Sequence, residues 1–116
     1  MSKYSIGIDL GGTKVLTAIV NKETGKVVSY EKKKTKKDKG TEKLIQKIIN
    51  SIYIAIEQAQ MSIEDISEIG IGAAGQIDRK NGIILNAPNI ECENLNIKSI
   101  LEKEFNKAVY VGNDVE

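Results

Sequence analysis

The chain has 116 residues and is 41% hydrophobic, enough for one small domain with its own core. Its 17 Lys and Arg nearly balance 16 Asp and Glu, for a net charge of +1, which gives no electrostatic reason to expect nucleic acid or an anionic membrane. A single cysteine, Cys92, and no histidine exclude an internal disulfide and a zinc site built within the chain.

Met1 leads directly into an alternating pattern, so no leader peptide is expected, and no apolar run approaches the ~18 residues of a membrane helix. The expected location is the cytoplasm. Lys3 to Leu10 alternates, with Tyr4, Ile6, Ile8 and Leu10 on one face, and is predicted as a strand. Gly11-Gly12-Thr13 turns the chain. Lys14 to Asn21 is a second strand, apolar enough to be covered on both faces. Glu23-Thr24-Gly25-Lys26 turns into a third strand, Val27 to Lys34, so the opening is an antiparallel meander. The run of Lys32, Lys33, Lys34, Lys36, Lys37 and Lys39 is expected to be a solvated stretch, and it lacks the interleaved aromatics of a nucleic-acid site.

A long helix follows, with Thr41 as N-cap and an apolar stripe of Leu44, Ile45, Ile48, Ile49, Ile52, Ile56 and Ala59, ending near Gln60. Glu68 to Ala74 is predicted as a buried strand. Ile77 and Ile83-Ile84-Leu85 flank Asn81-Gly82, a hairpin signal. Pro88 sits in a loop. Ile97, Ile100, Leu101 and Phe105 form a shorter helix capped by Asn94 or Asn96, and Val109 to Gly112 is a last strand. Strands alternating with helices after a meander predict an α/β fold with a mixed sheet. The chain stops where a further helix would follow, the pattern expected of a fragment.

Four groups of residues can carry chemistry. Asp9-Leu10-Gly11-Gly12-Thr13-Lys14 lies in a turn between strands. Its glycines let backbone N–H groups approach an anion, Thr13 adds a hydroxyl, Lys14 a charge, and Asp9 suits a hydrated Mg²⁺. The same spacing also fits a plain hairpin. Gly70, Gly72 and Gly75 strip side chains from a strand face, which admits either a ligand or tight packing, and Gln76 can bond a hydroxyl-rich ligand. Asn86-Ala87-Pro88-Asn89 is a polar turn. Asn113-Asp114 ends the last strand, where a carboxylate can accept a proton from a substrate hydroxyl or cap a following helix.

Gly7-Ile8-Asp9-Leu10-Gly11-Gly12-Thr13-Lys14, then Ile69-Gly70-Ile71-Gly72 through Gly75, Asn86-Ala87-Pro88-Asn89, and Gly112-Asn113-Asp114 together resemble the ROK family of sugar kinases and regulators. The order and approximate spacing match from Tyr4 to the end. The resemblance implies a ribonuclease-H-like, actin-like ATPase fold, with residues 1–116 as the N-terminal lobe of a two-lobe kinase. By it, Asp114 is the general base and Asn113 bonds the sugar. Gly75, Gln76 and Asn89 line the sugar pocket. Gly11, Gly12, Thr13 and Lys14 face the ATP phosphates, and Asp9 faces Mg²⁺. It implies in-line transfer of the γ-phosphoryl group to a hexose or hexosamine hydroxyl.

The chain departs from the family in carrying Glu116 where Asn often stands, two residues after the base. The family's zinc motif, its sugar-gripping His and Glu, and most of the adenosine site fall beyond Glu116. The isolated chain is therefore expected to be inactive, and the full-length protein a homo-oligomer binding sugar and ATP. The rival readings are a ROK transcriptional regulator or non-catalytic sugar sensor, an N-acetylglucosamine-kinase-like relative, and an actin-like assembly module. With only Met1-Ser2 ahead of the first strand, a DNA-binding helix-turn-helix is not expected.

Overall fold

A computed structural model describes residues 3–11, 14–34, 40–87 and 92–113. Strands β1 (Tyr4–Leu10), β2 (Lys14–Asn21) and β3 (Val27–Lys34) form the expected antiparallel meander. Asn21 shapes the second turn by accepting the Glu23 and Thr24 N–H groups on its Oδ1, and Gly25 takes a φ of +75°. Helix α1 (Gly40–Gln58) precedes a short 3₁₀ turn and β4 (Ile66–Ala73). Strands β5 (Gln76–Asp78), β6 (Ile83–Ala87) and β7 (Cys92–Leu95) follow, then helix α2 (Ile97–Phe105) and β8 (Ala108–Asn113).

The main sheet has the order β3-β2-β1-β4-β8, with β1, β4 and β8 parallel. This is the mixed α/β sheet the sequence predicts. Both crossovers, through α1 and through α2, run the same way across the sheet. Right-handed connections therefore deliver both helices to one face. On that face Ile6, Ile8 and Leu10 stand in register with Ile69, Ile71 and Ala73 on β4, while Val109 and Val111 extend the rows onto β8. Leu44, Ile48, Ile52 and Ala55 of α1 and Ile97, Leu101 and Phe105 of α2 close the core over them. Each such large aliphatic side chain contributes about 1.5–3 kcal/mol by leaving water. Tyr53 joins the helices: its ring centroid lies 5.1 Å from that of Phe105, and its hydroxyl donates to Glu104 Oε2 at 2.7 Å. That hydrogen bond is the main reason the phenol titrates above its ordinary value.

Several boundaries differ from expectation. α1 starts at Gly40, so Thr41 lies in its first turn and is not the cap. It ends two residues before Gln60, which takes a left-handed φ of 58°. The Gln60 and Met61 N–H groups reach back to the Glu57 and Ile56 carbonyls, a closing motif that glycine more often provides. β4 begins at Ile66 and not at Glu68. Asn96, one of the two expected caps, caps α2 by accepting the Ser99 N–H. β7 lacks alternation, and its pairing with β6 defines it. β2 is covered on one face only among the described residues: Val15, Thr17 and Ile19 are buried, whereas Leu16, Ala18 and Val20 are half-buried.

The fully buried polar pair on this interface is Thr17 and Ser51, whose hydroxyls lie 2.6 Å apart. Ser51 Oγ donates onward to the Ile48 carbonyl, so Thr17 donates to Ser51. Removing Ser51 leaves a buried hydroxyl without its acceptor. Ser51→Ala should therefore cost about 1–3 kcal/mol, and adding Thr17→Val should restore part of it, because deleting both partners removes the orphan. Urea unfolding of the two single variants and the double variant checks this.

Candidate functional site at the level strand ends

On the opposite face of the main sheet, small residues gather along β1, β4 and the end of β8. Pairing in register sets Gly7 beside Gly70, and Asp9 beside Gly72, which in turn pairs with Gly112. A Cβ placed on Gly7 or Gly70 would meet no atom within 4 Å, so this surface is open down to the backbone. Asp9 is exposed on it, near the end of a strand whose other face is buried. A single carboxylate with clear space over two neighbouring glycines is a donor set that a hydrated Mg²⁺ accepts. Gly11 follows: its N–H donates to the Lys14 carbonyl at 2.9 Å, closing the turn, and Lys14 is exposed at the start of β2. Gly12 and Thr13 lie outside the described residues.

The ends of β1, β4 and β8 are level, with Leu10, Ala73 and Asn113 in one row. Two strand spacings of about 4.8 Å put the Asp9 and Gly112 backbones about 10 Å apart. Strand alternation gives Asn113 the face of Leu10 and Ala73, not that of Asp9. Its Nδ2 donates to the Gly75 carbonyl at 2.7 Å, so the end of β8 is tied to the bend ahead of β5. Gln76 is exposed and pairs with Asn86 across the β5–β6 ladder. Gly75, Gln76, Asn86 and Asn113 therefore come together beside the bare face. Asn89 and Asp114 lie outside the described residues. Asp78 holds the hairpin turn by accepting the Asn81 side-chain and backbone N–H groups, and these bonds, the side-chain one first, lower its pKa.

Gly75 has a reason to be glycine that the sequence pattern leaves open. Its φ is +137°, and a Cβ there would overlap the Asn86 carbonyl. Tight packing is thus one of its roles. Gly70 answers the same question the other way, since a Cβ there would meet no described atom within 4 Å.

A model of the ROK family matches residues 5–116. The chain belongs to the ROK family. It is 34% identical to a glucokinase of Thermotoga maritima over 94% of its own length and 33% of that protein's. It is 33% identical to a xylose repressor of Caldicellulosiruptor bescii over 94% of its length and 27% of that protein's. A ROK glucokinase of Streptomyces griseus, solved with glucose and AMPPNP, superposes with a TM-score of 0.82 at 32% identity, over 96% of this chain and 33% of that one. The chain thus spans about a third or less of these relatives.

Two features of this ROK lobe escape a reading of its motifs. Gly7 and Gly112 belong to the bare face with Gly70 and Gly72; Gly7 lies two residues before Asp9 and Gly112 one before Asn113, and strand pairing turns them into one patch. Arg79 brings its Nε to 3.7 Å from the position of a Gly112 Cβ, setting a guanidinium beside that patch. Nothing in the hairpin sequence points to this, because only the fold brings β5 against β8. Gly75→Ala should destabilise the lobe by about 1–3 kcal/mol through backbone strain and carbonyl overlap, whereas Gly70→Ala should cost under about 1 kcal/mol. Denaturant midpoints at unchanged m-value measure both.

Proposed function

We propose that this lobe belongs to an ATP-dependent sugar kinase that transfers the γ-phosphoryl group to a hydroxyl of a hexose or hexosamine. One observation carries the reading: the anion-suited turn after β1, with Asp9 on a face bare of side chains, ends level with Asn113 two strands away. Such an arrangement lets a phosphate chain lie on the glycines while a hydroxyl waits at the strand ends.

In this reading Gly11, Gly12, Thr13 and Lys14 hold the donor phosphates and Asp9 holds Mg²⁺, which supplies neutralising charge when bound. Asn113 has spent an amide hydrogen on Gly75, so its Oδ1 remains to accept from a sugar hydroxyl. Gly75, Gln76 and Asn89 line the same pocket. Asp114 takes the proton of the attacking hydroxyl as its oxygen bonds to the γ-phosphorus and the bond to the β-phosphate oxygen breaks, releasing ADP. Catalysis comes from positioning and charge stabilisation.

A sugar-responsive regulator is the second reading, supported by a xylose repressor as similar to this chain as a glucokinase is. Asp114→Asn in the full-length protein separates the two. A kinase loses about 10²–10⁴-fold in kcat while sugar affinity changes little. A regulator binds sugar but phosphorylates none of a hexose panel even before substitution. Unchanged turnover in Asp114→Asn would remove Asp114 as the base.

A further inference from the structure

The lysine run at the end of β3 is not only a solvated stretch. Strand alternation divides it. Lys33 faces the helices, where Glu31 lies 3.8 Å from its Nζ. Lys32 and Lys34 are exposed on the opposite face, the one that carries Asp9 and the glycines. Lys34 stands directly across from Lys14, and Lys32 across from Leu16, which is itself beside Asp9. Lys47 adds a fourth ammonium group at this end by donating to the Lys34 carbonyl.

Lys14, Lys32 and Lys34 make no ion pair among the described residues. The acids on the strands of this face are Asp9 and Glu68, and Glu68 lies at the far end, 3.7 Å from Lys22. Like charges directly opposite on neighbouring strands destabilise a sheet. Here a Lys14–Lys34 pair stands with a third lysine two residues along, and among the described residues Asp9 is the one acid at this end of the face. Like charges set opposite one another, with no ion pair to them among the described residues, are expected where a ligand supplies the compensation. Lys14 begins β2 just after the Gly11 turn, with Lys34 across from it, and Lys14 and Lys32 rim a groove of about 400 Å³ floored by Leu16, Ala18 and Tyr30.

We infer that Lys14, Lys32 and Lys34 form a strip that binds a linear condensed-phosphate chain, extending the phosphate site of the Gly11 turn across β2 to β3. This rests on the proposed placement of donor phosphates at that turn and adds Lys32 and Lys34 as donor-binding residues. The shared chemistry is the phosphate chain, whether it comes from ATP or from inorganic polyphosphate.

The test is an amide-NMR titration of the ¹⁵N-labelled 116-residue chain with sodium tripolyphosphate, orthophosphate, ATP and a long-chain polyphosphate. Tripolyphosphate should shift Lys14, Lys32 and Lys34 together and bind at least about tenfold tighter than orthophosphate, with an affinity that falls steeply as salt shortens the screening length. The paired change Lys32→Ser and Lys34→Ser should weaken tripolyphosphate at least about tenfold, as expected when charged contacts to a phosphate chain are lost. Lys103→Ser with Lys107→Ser, the same charge change on and just after α2, should leave it unaltered. Circular dichroism confirms that each variant is folded. Tighter binding of ATP than of long-chain polyphosphate names the nucleotide as the source, the reverse names the inorganic chain, and either supports the strip. Undiminished tripolyphosphate affinity in the Lys32/Lys34 variant, shifts confined to the turn, or orthophosphate binding as tightly as tripolyphosphate would overturn it. Loss of the strip with Asp114-dependent phosphorylation intact would leave the kinase reading standing. A functioning strip with Asp114→Asn fully active would sink that reading alone.

Discussion

Parallel pairing of β1 with β4, and of β4 with β8, is the constraint on which this molecule turns. Residues far apart in sequence share a row only because the three strands run the same way and stop level: Asp9 with Gly72 and Gly112, Leu10 with Ala73 and Asn113. A slip of one residue in the β1–β4 ladder would exchange the faces of β1. Asp9 would enter the core, and Ile6 and Ile8 would reach water. Register is therefore fixed by the burial of Ile6, Ile8, Ile69, Ile71, Val109 and Val111, and the site inherits its geometry from that core.

The two faces of the sheet divide the labour. One takes both helices and nearly all the large aliphatic residues. The other is left to glycine, alanine, a few half-buried aliphatics and charged groups, with Tyr30 and Tyr110 exposed at 59% and 61%. Glycine in a strand costs stability through backbone entropy and lost packing. Four of them gather on one face, and among the described residues no atom lies near the missing Cβ positions of Gly7 and Gly70, so the backbone is accessible there. Gly75 differs, because there the close neighbour is the chain's own Asn86. Tripartite contact among Gly75, Asn113 and the β5–β6 hairpin then fixes where the polar groups at the strand ends point.

Much of this was legible in the residues. Alternation marks β1, since a half-buried strand writes its burial into every second position, and the two turns set off β2 and β3 at their observed bounds. The stripe from Leu44 to Ile56 marked α1 for the same reason at helical period. Elements without a periodic signature were harder to see: β7, whose pairing with β6 is the whole of its definition, and the end of α1, where Gln60 does the work usually done by glycine. β2 looked coverable on both sides because Leu16, Ala18 and Val20 are apolar, yet nothing among the described residues covers them. The candidate site was legible as separate motifs, and the resemblance to ROK proteins joined them. What no motif carried was the two-dimensional arrangement. Gly7 and Gly112 completing the bare patch, Arg79 arriving over Gly112, and Lys34 standing opposite Lys14 are all products of register.

The central claim is that the bare face and the level strand ends form one cleft in which nucleotide phosphates and a sugar hydroxyl meet. Its most direct test is paramagnetic broadening by Mn²⁺-AMPPNP in the sugar-bound full-length protein, read at backbone amides of this lobe. The account predicts strong broadening at Asp9, Gly11, Gly72, Gly112 and Asn113, with Ile48 and Leu101 on the helical side little affected. Broadening centred on α1 or α2, with the glycine rows untouched, would contradict it.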